Sequence, residues 1–414
     1  MSISKEKYSK SFIVILCAIV YFVSYFSRKD FAAVLAAMPI DMTVGSLIGT
    51  GLFICYGIGQ LASGFLGDRI KPSYLILFGL STTAICNLLM PLMPSEYAMI
   101  PIWALNGFAQ AMLWPPIVRI LSDNLDSERF VKANLVVTSA AHIATILLYL
   151  YVPVCLVYFD WKTVFFSATV LAVIAIIIFI TALIVILPKD AIKAPAPRVK
   201  EVASVHTDSY FKLILRAGIL PVFFCIILMG FLRDGIETWL PMLYKDSFGR
   251  GAEESILLSV ALPVFSILSI VIITALHKTR LFKNEVLGSM ILFGIVAVIA
   301  VPIVLLISLT SIVSRILCLI LACTVCACMH GTNFLLISCL PGHFSKHGKA
   351  ATTSGLCNAF TYVGAAISSY GFAVLAKNFG WSVTVMSWIA AGALGVSFTI
   401  LSIKAYTTFI KKED

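Results

Sequence analysis

The run Phe12–Met38, FIVILCAIVYFVSYFSRKDFAAVLAAM, is 27 residues of nearly unbroken apolar sequence with three consecutive charges, Arg28-Lys29-Asp30, set inside it. About 20 apolar residues on a helix cross the roughly 30 Å hydrocarbon layer of a bilayer. Lys5, Lys7 and Lys10 ahead of such a run also suit a secretory signal peptide, but the apolar sequence resumes past Asp30 and is too long for one. The stretch therefore predicts a membrane-spanning helix. Charges at that depth are costly and are kept for function. Snorkelling to the surface does not explain them, because apolar residues lie on both sides.

Outward from this run, eleven further apolar stretches follow near 47–66, 73–93, 98–121, 131–157, 162–187, 213–244, 255–276, 285–308, 312–340, 349–376 and 381–404. Hydrophobic residues make up 60% of the 414 residues and charged ones 12%, with a mean hydropathy of +1.01. Soluble domains carry about 45–50% apolar and about 25% charged residues, so a soluble fold is excluded. The expected fold is an all-α integral membrane protein of twelve transmembrane helices in two six-helix bundles, residues 1–187 and 213–414. A linker at 188–212 holds Pro188, Pro195 and Pro197 among basic residues.

Orientation follows from the Lys/Arg bias of the short loops. With the N-terminus cytoplasmic, that side holds 22 of the 30 basic residues, the other side holds Lys162, Lys245, Arg250, Arg315 and Lys377, and three lie within the membrane. Both termini are therefore expected in the cytoplasm of a multi-pass cell-membrane protein. The net charge of +10 is accounted for by the loops, and no nucleic-acid partner is needed. All eleven cysteines fall in the apolar stretches. Cys323, Cys326 and Cys328 read as packing; no disulfide, metal or cofactor is expected.

The charges inside the membrane recur in both halves. Arg28-Lys29-Asp30 has its counterpart in Arg233-Asp234 with Glu237, and Arg233 lies 205 positions after Arg28. Internal correspondence of this kind marks a secondary transporter with its site at the repeat interface. Tyr21, Tyr25 and Arg28 share one helical stripe at i, i+4, i+7. Thr138, His142, Thr145 and Tyr149 form a second stripe, and Ser354, Asn358 and Thr361, with Tyr362 adjacent, a third. Such stripes suit a water-filled cavity, although a single Ser or Thr serves equally well in hydrogen bonding between helices. Guanidinium groups bind phosphate bidentately, and a phosphate monoester, with a second pKa near 6, can engage Arg28 and Arg233 together. A histidine beside it changes charge in the same pH range. Arg28, Lys29 and Arg233 balance Asp30, Asp234 and Glu237, which predicts an internally paired empty site; pairing of Arg233 with Glu237 at i+4 is the simplest form of it.

Between the second and third stretches runs Gly64-Phe-Leu-Gly-Asp68-Arg69-Ile-Lys71. It resembles the G-x-x-x-D-R loop signature of the major facilitator superfamily, whose fold is two six-helix bundles; the resemblance gives Asp68 and Arg69 the role of a lock between helix ends. The corresponding second-half loop, Ala275–Arg280, lacks it. More closely, the chain resembles the organophosphate:phosphate antiporter family of bacterial glycerol-3-phosphate and hexose-phosphate transporters. The resemblance is carried by Tyr21-x-x-x-Tyr25-x-x-Arg28-Lys29-Asp30-Phe31, Trp114-Pro115-Pro116-x-x-Arg119, Glu128-Arg129, Ala141-His142, Asp160-Trp161, Arg233-x-Gly235-Ile236-x-x-Trp239-x-Pro241, Thr361-Tyr362-x-Gly364 and Gly380-Trp381.

The resemblance implies phosphate binding by Arg28 and Arg233, help from His142 and Lys29, and contributions from Tyr21, Tyr25, Trp114 and Tyr362. It implies exchange of an organic phosphate for inorganic phosphate by rocking of the halves, in a monomer. The partners are then a small anion and the lipid bilayer. Asp30, Asp234 and Glu237 join Asp68 and Arg69 as gating or charge-pairing groups. Gln60 stands where the glycerol-phosphate members carry a lysine, and Ile143 where they carry Asn, so the site is less cationic than theirs. A sensor of external sugar phosphate and a transporter of another anion, such as a carboxylate, are the alternatives. No paired carboxylates or nucleophile accompany His343 and His347, which read as a solvated basic loop, and an enzyme is not expected. Pro115 and Pro116 are expected to interrupt the fourth helix. Gly57, Gly59 and Gly64 are expected to let helices approach closely.

Overall fold

Polar caps start many of the helices. Asp126 accepts from the backbone N–H of Arg129 at 2.9 Å, and Asp160 from those of Lys162 and Thr163 at 3.0 and 3.2 Å. Ser95, Asn284 and Ser311 act likewise. The computed structural model describes residues 2–67, 69–186, 210–279, 281–309, 311–347 and 349–413. Most of the linker and Asp68 lie outside them. Among the described residues the elements are helical: α1 (Ser2–Val34), α2 (Met42–Gly67), α3 (Pro72–Leu89), α4 (Glu96–Ala111), α5 (Trp114–Asn124), α6 (Ser127–Tyr158) and α7 (Trp161–Thr181). Beyond the linker follow α8 (Tyr210–Arg216), α9 (Ile219–Phe248), α10 (Ala252–Leu258), α11 (Ala261–Leu276), α12 (Glu285–Leu306), α13 (Ile312–Asn333), α14 (Ala350–Phe379) and α15 (Trp381–Glu413). A π-helical turn, Phe334–Cys339, continues α13.

Eleven helical spans among the described residues are long and apolar enough to cross a membrane. The twelfth expected stretch, 98–121, is α4 and α5, broken at Met112–Leu113. Pro115 and Pro116 are the cause: they lack N–H donors and sit in the first turn of α5, where none is required. The seventh stretch is also broken, at Gly218, whose φ of +66° only glycine adopts without strain. Many large side chains point outward; Val298, Leu305 and Leu401 are 70%, 70% and 69% exposed. In water that surface would aggregate, and in lipid it is solvated. The protein is multi-pass.

The chain forms two compact units, one of residues 1–40 and 51–199, the other of 41–50 and 200–414. Each repeats the same helix pairings. In the first, α1 packs along α6 and α7, and α3 along α4 and α7; in the second, α9 packs along α14 and α15, and α12 along α13 and α15. The first unit has a core of Ile13, Leu16, Val20, Leu80, Ile117, Val137 and Phe179. In the second, α9 and α14 meet backbone to backbone: a Cβ on Gly230 would collide with the Thr361 carbonyl, and one on Gly364 with that of Ile227. Gly59 does the same in the first unit, its Cβ position lying 2.7 Å from Ala111 Cβ.

Candidate functional site

In the first unit the stripe on α1 becomes a chain of rings. Tyr21 lies 5.0 Å from Tyr25 and 4.6 Å from Trp114, which opens α5 just after the proline break. The Arg28 guanidinium carbon stands 4.3 Å from the Tyr25 ring centroid and 4.9 Å from that of Tyr56. Of these residues only Tyr56, on α2, is absent from the sequence reading; the signal available for it was Gln60 one turn on. Gln60 itself, at the position where the family resemblance implies a lysine, donates Nε2–H to the Ala111 carbonyl at 3.4 Å. Ring faces hold a cation through their quadrupole without cancelling its charge.

His142, on α6, places Nδ1 2.9 Å from the Thr138 carbonyl. A carbonyl only accepts, so Nδ1 carries the proton of the neutral ring and Nε2 is the nitrogen that takes the second. Thr145 is turned back onto Ala141 at 3.0 Å, and Tyr149 is buried. Lys29 is half-buried beside Arg28. Asp30 is fully enclosed: its Oδ1 accepts from the Phe31 N–H at 2.7 Å, and among the described residues its Oδ2 has no partner. A buried polar belt lies one turn back. Asn87 and Asn106 both donate to the Ser27 carbonyl, at 3.1 and 3.3 Å, and Gln110 links Ser24 and Thr83.

In the second unit Arg233 has acids and amides for neighbours. Its Nη2 lies 2.7 Å from Asp234 Oδ2, and its Nη1 donates to Asn333 Oδ1 at 2.7 Å. Tyr362 and Glu237 belong to its electrostatic surroundings. The sequence reading pairs Arg233 with Glu237; in the structure the guanidinium bonds to the adjacent Asp234, while Glu237 Oε1 is 2.7 Å from His330 Nε2. Asn333 and His330, both on α13, were not foreseen. They sit three residues apart on one face, a pattern that periodicity reveals only once α13 is known to pack on α9.

One further residue departs from the sequence reading. His343 is not part of a solvated loop: it lies in a short 3-10 helix, Leu340–His347, with Nε2 3.2 Å from buried Glu285. His277 Nε2 is 3.4 Å from the same oxygen, and Tyr406 donates to Glu285 Oε2 at 2.8 Å. The second-half loop without the G-x-x-x-D-R signature thus ends on a carboxylate knot of its own. Arg69 is exposed at its helix end. Asp41 closes an ion pair with Lys377 at 2.8 Å inside the second unit, and hydrogen bonds from Lys377 and Thr43, with the Lys377 charge, hold its carboxyl down to about 2.

A profile of the Major Facilitator Superfamily matches residues 17–369. Among solved structures, a point mutant of a peptide transporter POT in complex with sulfate superposes with a TM-score of 0.73 at 12% identity, covering 96% of this chain and 94% of that one. A glycerol-3-phosphate transporter of Bacillus subtilis is 26% identical over 257 residues, 56% of either chain. A probable hexose phosphate transport protein of Chlamydia trachomatis is 33% identical over 106 residues, 25% of this chain and 23% of that one. The membrane sensor protein UhpC of Salmonella typhimurium is 31% identical over 123 residues, 29% and 28%. The matched segments thus span from about a quarter to just over half of these relatives' lengths. The chain belongs to the Major Facilitator Superfamily.

Proposed function

We propose that this major facilitator chain exchanges an organic phosphate, of the glycerol-3-phosphate or sugar-phosphate class, for inorganic phosphate across the cell membrane by alternating access. The observation that carries the reading is the pair of membrane-depth arginines, one in each unit, held by unlike neighbours: Arg28 by rings and Arg233 by Asp234 and Asn333. The names of the curated relatives, hexose phosphate and glycerol-3-phosphate transporters, support the substrate class. In this reading both arginines bind the phosphoryl group, and Lys29 adds charge. His142 follows the substrate's protonation, and Tyr21, Tyr25, Trp114 and Tyr362 line the path. Asp234, Glu237 and Asp30 take up charge when the site is empty, and Asp68 with Arg69 fastens the loop between the second and third spans. The bundles are residues 1–187 and 213–414 joined by 188–212, both termini face the cytoplasm, the protein works as a monomer, and it is not an enzyme.

Exchange requires the bound substrate to stabilise the state between the two cavity conformations, enough to offset rearrangement of the arginine pairs. The test is counterflow in proteoliposomes preloaded with inorganic phosphate, with labelled phosphate outside and glycerol-3-phosphate, glucose-6-phosphate, phosphoenolpyruvate or a non-phosphorylated carboxylate as competitors. Phosphate–phosphate exchange inhibited by organic phosphates is the expected outcome. Exchange inhibited best by the carboxylate would replace the substrate class. Tight binding of one sugar phosphate without exchange would favour sensing, a reading supported by the similarity to the Salmonella sensor.

A further inference from the structure

Cys326 and His330 are four residues apart on α13, so both side chains leave the same face of the helix. Glu237 meets them from α9. Its Oε1 lies 2.7 Å from His330 Nε2 and 3.9 Å from Cys326 Sγ, and one ligand atom from each of the three residues falls within 4.8 Å of the other two. Of the three neighbouring cysteines, Cys323 and Cys328 are buried. Cys326 has a carboxylate and an imidazole for neighbours. From these positions we infer a binding site for a borderline divalent transition cation of the zinc class, formed by Glu237, Cys326 and His330.

The donor chemistry fits that class and not a hard cation. Thiolate sulfur and imidazole nitrogen suit zinc, whereas magnesium and calcium take oxygen. A tetrahedral zinc with bonds of about 2.0–2.3 Å sets its ligand atoms roughly 3.4–3.6 Å apart. The present separations, from 2.7 Å to under 4.8 Å, bracket that figure. Charge closes as well. Arg233 is met by Asp234 at 2.7 Å, so that pair is formally neutral. A dication, a thiolate, a carboxylate and a neutral imidazole sum to zero. Binding forms the metal–sulfur bond and releases the thiol proton to water, so affinity rises with pH. Three protein ligands leave one position open, as in zinc sites that also hold a water or an anion. Glu237 and His330 keep side-chain exposures of 16% and 15%, giving the ion a way in although Cys326 is enclosed.

Purified full-length chain would be titrated with zinc alone against a chromophoric chelator, and the bound metal examined by X-ray absorption. The expected result is one zinc per chain at micromolar or tighter affinity, with one sulfur and two lighter protein ligands. Cys326→Ser, His330→Gln and Glu237→Gln should each weaken binding at least tenfold, and Cys323→Ser should leave it unchanged. Thermal unfolding of each variant checks its fold, and if one variant fails to fold the other two carry the test. Zinc bound without sulfur, or bound equally well by all three variants, would overturn the site, as would less than one zinc per chain at tens of micromolar. In proteoliposomes zinc should inhibit exchange and Cys326→Ser should relieve the inhibition, because Glu237 lies one turn from Arg233. That arm rests on the exchange function proposed above; a chain that binds zinc as expected and exchanges nothing fails that function alone.

Discussion

Arg28 lies against the faces of Tyr25 and Tyr56, at 4.3 and 4.9 Å, while Arg233 is gripped by Asp234 and Asn333 at 2.7 Å each. The two occupy matching places on helices that also pack alike, α1 on α6 and α9 on α14. Their surroundings separate two ways of keeping an arginine inside a membrane. A ring face contributes about 0.5–2 kcal/mol through its quadrupole. A carboxylate cancels the charge, and an anion arriving at Arg233 has to take the place of Asp234 or share the guanidinium with it. The repeat therefore supplies two cations of the same chemistry in unlike surroundings, one lying on aromatic faces and the other bonded to a carboxylate.

The comparison breaks most sharply with lysine. Arg28→Lys and Arg233→Lys should each lower exchange at least a hundredfold, because an ammonium cannot form the bidentate fork; near-normal counterflow in either variant would remove that arginine from the phosphate site. Asp234→Asn sharpens it next. Breaking one side of a buried pair costs about 3–5 kcal/mol, and phosphate would then supply the lost counter-charge. The variant should unfold at a lower temperature than the parent, yet gain more from added phosphate, as read by thermal unfolding in detergent with and without the anion. An equal gain in both proteins would mean that Asp234 does not guard the arginine. On the other side, Tyr56→Ala should weaken phosphate binding by about 3–30-fold, the equivalent of the ring's contribution. Tyr56→Phe, which keeps the ring, should stay within about twofold.

The smallest effect concerns pH. Asp41 titrates at about 2 because Lys377 and Thr43 bond to its carboxylate. Its value in the unfolded chain is about 3.9, so the pairing adds stability at every pH above that and loses it only as pH falls from about 4 to about 2. Asp41→Asn should therefore leave the shape of the exchange profile between about pH 5.5 and 8 untouched, whereas His142→Gln should alter it, since only a histidine titrates there unperturbed. Matching profiles for the parent and His142→Gln would take that residue out of the mechanism.

What lay along one helix was legible in the sequence. Tyr21, Tyr25 and Arg28 follow from a single helical repeat, and the position of Arg233 half a chain later follows from counting. Partners across helices were not. Tyr56 reaches Arg28 from α2, and Asn333, His330 and Cys326 reach Arg233 and Glu237 from α13. Hydropathy does not encode which spans touch when every span is apolar. The same limit explains Glu285: His277, His343 and Tyr406 converge on it from three separate stretches, and singly each reads as a surface or packing residue. Motif residues were visible before their work was. Asp160-Trp161 marks the family resemblance, yet only the structure assigns Asp160 the capping of α7. The stretch 98–121 passes as one span by composition, and Pro115 and Pro116 make it two helices.

That break has an optical consequence. It delivers Trp114, one of six tryptophans, to the first turn of α5 with its indole 4.6 Å from the Tyr21 ring. Trp103, Trp239 and Trp388 are enclosed in packed interiors. Indole emission shifts with the polarity of its immediate surroundings, so Trp114 is a native fluorophore standing at the end of the aromatic chain that leads to Arg28. Under the proposed function, substrate binding beside Arg28 should shift that emission in the unlabelled protein.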